Sequence, residues 1–454
     1  MSVSTHITFW SGLNTIGGNI VSITNGNYRI ITDFGALVGA DITQLSDQIN
    51  LETLLKKGMI PPIKGIYAQE FIEGSKLVAA EADQIMTIVC LSHIHLDHIG
   101  SLGQLDVSIP VYLTQESFTL YKKLVHRNLL PNYNVNWQTI STETAFEHGP
   151  FHITFKESDH DTLGASSIFI TCPDMKIIHS GDFRLSGFHP EKVQHWALEA
   201  QDYEPDILLL EGTAFSEIKE VQCLPEDQEI FSIDALSERK LIQKISGLLV
   251  DHPESSFAIN FYPQNIQRII AVAEQAQKYQ RKLLLDPNYY YLLASLDLIQ
   301  DFPIVCLLNE DAKKYLEENI SYVTLEDVKL APGGYIIQID YQYRSILSDI
   351  PAGLYLHSNG FPLGSFQTEY KSFVDFIIKS GWKFVNANVS GHANKQDLLA
   401  LAYTINPRIV IPWHTFQPSA FANALEEYGM STFMPQKGQE YLLKELLGED
   451  YEEN

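Results

Sequence analysis

The apolar positions of this chain fall into short runs, and most of the runs end on a polar residue able to carry chemistry. Ile7-Thr8-Phe9-Trp10, Ile20-Val21-Ser22-Ile23 and Tyr28-Arg29-Ile30-Ile31-Thr32 are rich in β-branched and aromatic residues and read as strands, broken by turns at Gly12, Gly17, Gly18 and Asn25-Gly26. Thr87-Ile88-Val89-Cys90-Leu91 reads as a buried strand, and Val111-Tyr112-Leu113 as another, leading into a helix over 115–128. Phe151-His152-Ile153-Thr154-Phe155 alternates as a half-buried strand does, and Ser167–Thr171 and Lys176–His179 pair as a hairpin through Pro173-Asp174. The run from Asp206 to Leu210 is a buried strand ending in Glu211. Residues 41–57 and 67–85 are less periodic, and helical stretches are expected there.

The pattern changes at about residue 212. Residues 214–236 are acidic and irregular, as in a linker or long loop. Beyond them, helices over 264–280 and 287–300 alternate with the apolar runs Phe257–Asn260, Lys282–Leu285 and Ile304–Leu308, and Asp286-Pro287 supplies an N-cap and first position for the second helix. That is a βαβ pattern with a parallel sheet. The earlier style then returns: a strand over Lys383–Ala387, a helix over 394–405, and a buried strand over Arg408–Thr415. The expected fold is α/β in three segments, 1–211, 212–384 and 385–454.

Chemistry concentrates at strand ends. Directly behind the 87–91 strand stand His93-Ile94-His95-Leu96-Asp97-His98, three imidazoles and a carboxylate in six positions, all strong ligands for borderline divalent metals. A hydrated His-rich loop is the bland alternative, but compositional His tracts do not sit behind a strand with an Asp fixed inside them. His160, Asp182, Glu211 and His414 follow later runs in the same way, and His392 follows the 383–387 strand by a short turn. Asp33 ends the third strand before Gly35; it is a turn-former or a support that accepts hydrogen bonds from the ligand loop. His6, His126, His148, His152, His189, His195 and His252 lack such context and read as ordinary.

Composition narrows the class. With 454 residues, 45% hydrophobic, the chain has room for two or three domains and a large core. No apolar stretch approaches the roughly 20 residues that span a bilayer, and the N-terminus has no signal-peptide pattern, so a cytoplasmic, membrane-free protein is expected. The four cysteines are far apart and form neither a metal-type pair nor a disulfide framework. A net charge of −25 argues against indiscriminate nucleic-acid binding, although bound cations add positive charge where it matters. The tail from residue 440, with six acids and one lysine, reads as a solvated helix end.

The set Asp33, His93-x-His95-x-Asp97-His98, His160 and Asp182 resembles the metallo-β-lactamase fold. Glu211, Ser390-Gly391-His392-Ala393 and Pro412-x-His414 resemble its β-CASP branch, and within that branch bacterial ribonuclease J in a short form without the C-terminal domain. The resemblance covers nearly the whole chain. Two motifs depart from it: Asp161-Thr162-Leu163-Gly164 follows His160, and Trp413-His414-Thr415 ends the third motif.

The resemblance implies an αββα sandwich with an inserted α/β β-CASP cap over the cleft. His93, His95 and His160 would hold one metal, and Asp97, His98 and His414 the other, with Asp182 bridging. The ions would be Zn²⁺, or Mn²⁺ given the carboxylates. Together they would activate water and neutralise charge at phosphorus. Asp97 and Asp182 are thus catalytic as well as ligating. His392 would serve the scissile phosphate, Glu211 would orient His392 or His414, and Asp33 would support the ligands. Ser390 and Gly391 offer backbone N–H groups to phosphate, and Asn260, Asn265 and Arg268 could contact the nucleotide backbone, with Arg184 assisting.

The function expected is a two-metal hydrolase, a nuclease of single-stranded RNA, exo- or endonucleolytic, with homodimerisation implied by the family. A DNA-directed nuclease, a small-molecule metallo-hydrolase and a silent interaction module are the alternatives.

Overall fold

The structure is a computed structural model that describes residues 3–37, 51–216, 231–232, 237–309, 320–365 and 367–448. The expectations for residues 41–50, for most of 217–236 and for 449–454 lie outside the described residues.

Two sheets are packed face to face. The first has seven strands in the order Glu440–Tyr441, Thr5–Ser11, Ile20–Asn25, Tyr28–Thr32, Met86–Cys90, Pro110–Thr114 and Asn136–Ile140. The second has six: Ile409–Trp413, Ile207–Glu211, Lys176–His179, Ser166–Thr171, Phe151–Glu157 and Ala145–His148. Strand periodicity separates their faces. Ile207 and Leu209 join Ile7, Phe9, Val21, Ile23 and Ile30 in the core between the sheets. Leu208 and Leu210 point the other way, against Trp196 and Ala200 of the helix Pro190–Tyr203 and Leu398 and Leu401 of the helix Lys395–Ile405. On the far side, Val89, Val111 and Leu113 lie in one cluster with Leu120 and Leu124 of the helix Gln115–His126, capped by the Thr114 hydroxyl. The order is therefore helix, sheet, sheet, helix.

The third sheet has eight strands, each pair parallel, in the order Phe231–Ser232, Lys383–Asn386, Leu354–Ser358, Phe257–Phe261, Tyr335–Gln338, Lys282–Leu285, Ile304–Leu307 and Tyr322–Val323. Most positions of its inner strands are apolar because helices cover both faces. Ile259 and Leu283 lie in a cluster with the helices Glu238–Asp251 and Ile266–Lys278, whereas Ala258 and Leu284 lie with the helix Thr368–Lys379. Asp286 caps the helix Pro287–Ala294 as its sequence predicts. That helix stops short of residue 300 because Asp297 takes a left-handed φ of 59° and the Leu298 N–H closes back on the Leu293 carbonyl.

The segment 67–85, expected to be helical in part, holds only the short turns Gln69–Phe71 and Ala80–Ala82. It has few apolar positions at helical spacing, so a longer helix would bury little.

Candidate metal centre

Strand ends from both sandwich sheets converge on one edge. Met86–Cys90 leads through Ser92 to His93 and His95, and the single turn Leu96–Ile99 then presents Asp97 and His98. His160, Asp182 and His414 follow the strands Phe151–Glu157, Lys176–His179 and Ile409–Trp413. His414 takes a left-handed φ of 52° while its N–H donates to the Gly12 carbonyl at 3.1 Å, which turns the ring away from the sheet line.

Two ligand sets result. Ring nitrogens of His93, His95 and His160 lie within 4.8 Å of one another, as do donor atoms of Asp97, His98, Asp182 and His414. The Asp182 carboxylate stands between the sets: Oδ2 is 3.1 Å from His98 Nε2, 3.4 Å from His414 Nε2 and 3.9 Å from His93 Nε2. Glu211 and His392 adjoin the same carboxylate, with His392 Nδ1 3.5 Å from Glu211 Oε1 and 3.7 Å from Asp182 Oδ2. His392 is the more open of these side chains, 22% exposed against 0% for Glu211 and 2% for Asp182.

The electrostatics suit a cation. Burial, with neighbouring imidazoles adding to it, holds His93 well below the ordinary imidazole range; burial also lowers His95 and His160 against the pull of Asp161. These rings present lone pairs at neutral pH. Burial works against charge on His98 too, but Asp182, Asp33 and Asp97 together hold it well above the ordinary range. Burial likewise opposes charge on His392, yet Glu211 and Asp182 raise it to about 10. Buried polar atoms without a hydrogen-bond partner cluster here: His93 Nε2, Asp182 Oδ1, Glu211 Oε1, His392 Nδ1 and His414 Nε2. Leaving so many unpaired costs on the order of 1–3 kcal/mol each. A divalent ion with nitrogen and carboxylate ligands answers that cost, displacing the proton that His98 holds.

The other ring nitrogens are supported from behind. The Ser92 hydroxyl donates to Asp33 and stands 3.0 Å from His93 Nδ1; His98 Nδ1 donates to Asp33 Oδ2 at 2.8 Å. His160 Nδ1 meets the Gly391 carbonyl at 2.5 Å, and His95 Nε2 faces Asp161 Oδ1 at 3.5 Å. His414 Nδ1 meets the Asn19 carboxamide. Behind Asp33, His179 accepts from the Gly181 N–H on Nδ1, so its proton sits on Nε2, 3.5 Å from Asp33 Oδ2; burial, opposed by Asp33, lowers this imidazole to about 4.

Sequence reasoning gave no role to Asn19, Ser92, Asp161, His179 or Tyr262. Tyr262 reaches over from the third sheet, its ring centroid 5.2 Å from that of His95 and its hydroxyl accepting from Gln264. Asp161, a carboxylate next to His160, was visible as a residue type; Asn19 and Tyr262 are ordinary residues in sequence and gain meaning only from the fold.

The expected phosphate contacts fare differently. Ser390 and Gly391 border the centre, with Ser390 exposed and a Cβ on Gly391 falling 2.8 Å from Asp161 Oδ1. Arg268 and Asn260 are not at a surface, which corrects the sequence expectation. Arg268 is buried, its guanidinium donating to both Glu238 oxygens at 2.7–2.9 Å and to the Val389 carbonyl. Asn260 is buried between strand ends, its Oδ1 accepting from the Ser358 N–H. Asn265 caps the helix Ile266–Lys278, and Arg184 donates to Glu238 at 2.8 Å. Each polar group serves the packing of the strand edge against the sandwich, because a buried guanidinium needs an anion more than a substrate does.

Sandwiched sheets with strand-end histidines and a shared aspartate define a metallo-β-lactamase fold. The family described as "Beta-lactamase superfamily domain" matches residues 60–242, and that described as "Zn-dependent metallo-hydrolase RNA specificity domain" matches residues 383–435. The chain thus carries a metallo-β-lactamase superfamily domain and, after it, an RNA specificity domain of the metallo-hydrolases. It is similar to Ribonuclease J of Helicobacter pylori (strain ATCC 700392 / 26695), 22% identical over 427 residues, covering 90% of this chain and 56% of that one. It is also similar to Ribonuclease J of Pyrococcus abyssi, 22% identical over 434 residues and covering 89% and 88%, and to Cleavage and polyadenylation specificity factor 73 of Drosophila melanogaster, 26% identical over 203 residues and covering 39% and 27%. The chain thus spans little more than half the length of the Helicobacter relative. Among solved structures, a protein of unknown function from Enterococcus faecalis V583 superposes with a TM-score of 0.80 at 26% identity, covering 97% of this chain and 100% of that one.

Proposed function

We propose that this chain is a two-metal hydrolase that cleaves phosphodiester bonds of single-stranded RNA. The observation that carries the reading is the pair of buried ligand sets meeting at Asp182, with His392 and Glu211 on the same carboxylate. The names of the Helicobacter and Pyrococcus relatives support RNA as substrate, as does the RNA specificity match, which contains both His392 and His414. We divide the chain into a sandwich of 1–211 and 385–454 with an insert over 212–384. The insert's sheet extends to the strand Lys383–Asn386, and Tyr262 brings its edge to the metal centre.

His93, His95 and His160 would hold one ion and Asp97, His98 and His414 the other, with Asp182 between them. Two divalent ions, Zn²⁺ by the nitrogen-rich set, supply Lewis-acid activation of water and neutralise charge at phosphorus. Asp33, Ser92, Asp161 and the Gly391 carbonyl fix ring orientation, so the donor nitrogens need no rearrangement. His392, the accessible member, holds a proton toward the leaving oxygen, and Glu211 keeps the ring turned inward. The Ser390-Gly391 turn offers backbone to a phosphate beside that ring.

A second reading, a small-molecule metallo-hydrolase, draws on the charge around the centre. Arg184 and Arg268 are neutralised by Glu238, and Asp161 adds a carboxylate beside His95. Metal-loaded protein is therefore incubated with 5′-labelled single-stranded RNA, matched DNA and bis-p-nitrophenyl phosphate, with His95→Ala as control. RNA cleavage lost in the variant supports the proposal, and the ladder separates stepwise from internal cutting. Turnover of the small ester with RNA and DNA untouched selects the second reading.

A further inference from the structure

A histidine that ligates a metal through one ring nitrogen carries its proton on the other, and that proton needs an acceptor. Four of the five imidazoles in the two ligand sets show an oxygen there: Ser92 Oγ behind His93, Asp161 behind His95, Asp33 behind His98, and the Gly391 carbonyl behind His160. The fifth is His414. Its Nε2 faces Asp97 and Asp182 at 3.6 and 3.4 Å, so its proton belongs on Nδ1. Nδ1 lies 2.5 Å from one end of the Asn19 carboxamide, and the same end is 3.0 Å from His98 Nε2.

We propose that Asn19 is the positioning residue of His414: its carboxamide oxygen accepts the Nδ1–H of that ring and leaves Nε2 as the metal-binding nitrogen. The inference rests on the two-metal reading above. The two ends of a carboxamide have the same shape, and their orientation is decided by their partners. With the NH₂ end between the two rings, the oxygen end is buried without a partner. With the oxygen toward His414, the ring proton is satisfied and no N–H points at His98 Nε2, while the NH₂ takes the enclosed position beside Gly12.

Asn19 is also held in place. Its N–H donates to the Asp97 carbonyl at 3.3 Å, and its own carbonyl accepts from the Gly35 N–H at 3.3 Å. A Cβ on Gly12 would fall 2.7 Å from the far end of the carboxamide, so the side chain is confined between Gly12 and the two rings. Gly12 has a φ of 83° and its carbonyl accepts from the His414 N–H, which ties the ring's backbone to the same turn. Asn19 therefore stands to His414 as Asp33 stands to His98, with a neutral acceptor in place of a charged one.

The test measures metal, not turnover. Full-length wild type, Asn19→Asp and Asn19→Leu are loaded with Co²⁺ or Zn²⁺ and dialysed against graded chelator. Metal per chain, the visible spectrum of the cobalt form and far-UV circular dichroism are then recorded. Wild type is expected to hold two equivalents. Asn19→Asp keeps the shape and offers oxygen at both ends, so it should hold two at least as tightly. Asn19→Leu removes the acceptor and should weaken one equivalent by about ten- to a hundred-fold, leaving the other and its cobalt bands unchanged. A folded Asn19→Leu that keeps both equivalents at wild-type affinity overturns the proposal. So does an Asn19→Asp that releases one, and this variant decides the matter if Asn19→Leu does not fold. Wild type that binds no metal overturns the two-metal reading and this inference together, whereas two equivalents in wild type and one in Asn19→Asp overturn only the role of Asn19.

Discussion

Glu238 Oε1 accepts from Arg184 Nη1 at 2.8 Å, and neither side chain is exposed to solvent. Arg184 follows Asp182 in the sandwich, while Glu238 opens a helix that packs on the third sheet, so the pair fastens the two parts beside the metal centre. Arg268 and Asn265 add three more hydrogen bonds to the same carboxylate. Removing the anion strands the buried Arg268 guanidinium and leaves Arg184 with Asp159 alone at 3.8 Å, a change that typically costs about 3–5 kcal/mol. Glu238→Ala is therefore expected to unfold at markedly lower urea concentration than wild type, and Glu238→Gln to lose less. Equal midpoints for Glu238→Ala and wild type would show that the charges are compensated elsewhere.

Substitution of His392 is expected to separate catalysis from metal binding. His392 forms a third cluster with Asp182 and Glu211 but is more open than either, and it lies outside the sets of His93, His95 and His160 and of Asp97, His98, Asp182 and His414. His392→Ala should keep two metal equivalents and lower turnover by about 10²–10⁴-fold, the usual contribution of a positioned acid or base. Metal content by emission spectroscopy and turnover on the same sample check this, and loss of one equivalent would make His392 a ligand.

The strand-end placement of the ligands was legible because buried strands announce themselves as apolar runs, and a His or Asp closing such a run stands out. Asp286-Pro287 was equally readable, since a cap is a local hydrogen bond. Strands Tyr335–Gln338 and Leu354–Ser358 lie outside the expected runs although they are central to the third sheet. Each is only four or five residues long, and an apolar run that short is told from a buried helix segment only by its neighbours in the sheet. Arg268 departs from its sequence expectation for a related reason. At the start of a helix it has the same local sequence whether it faces solvent or Glu238, which is 30 residues away in the chain. Local chemistry is written in local sequence, and long-range pairing is not.

Asp340 carries a pH dependence remote from the ligand sets. It follows the strand Tyr335–Gln338, and burial, then the charge of Asp286, raises its carboxyl to about 7, against an ordinary value near 3.9. Between these two values the unfolded chain has released the proton and the folded chain still holds it. The unfolded state binds fewer protons, so stability falls as pH rises from about 4 to about 7 and is level above that. Asp340→Asn removes the ionisation and should gain up to about 4 kcal/mol at pH 8, with little change at pH 4. Urea midpoints for both proteins at the two pH values test it; a gain of the same size at both would point to packing instead.

Gly35 sets how closely the ligand turn can approach the first sheet. A Cβ built there would fall 1.5 Å from the Asp97 carbonyl oxygen and 2.8 Å from the His98 backbone nitrogen. Both atoms are backbone and cannot swing aside, so the turn itself would have to move. That turn is pinned on three sides: Phe34 N–H donates to the His98 carbonyl, Ala36 N–H to the Leu96 carbonyl and Asn19 N–H to the Asp97 carbonyl. Gly35→Ala must break some of these bonds or drive Asp97 and His98 away from Asp182 and His414. The His93, His95 and His160 set lies on the other side of Asp182 and keeps its own supports at Ser92, Asp161 and Gly391. The variant is expected to retain one metal equivalent, to lose the second, and to unfold earlier than wild type by about 2 kcal/mol or more. Metal per chain after dialysis, read beside a urea melt, distinguishes this from general collapse, in which both equivalents leave together.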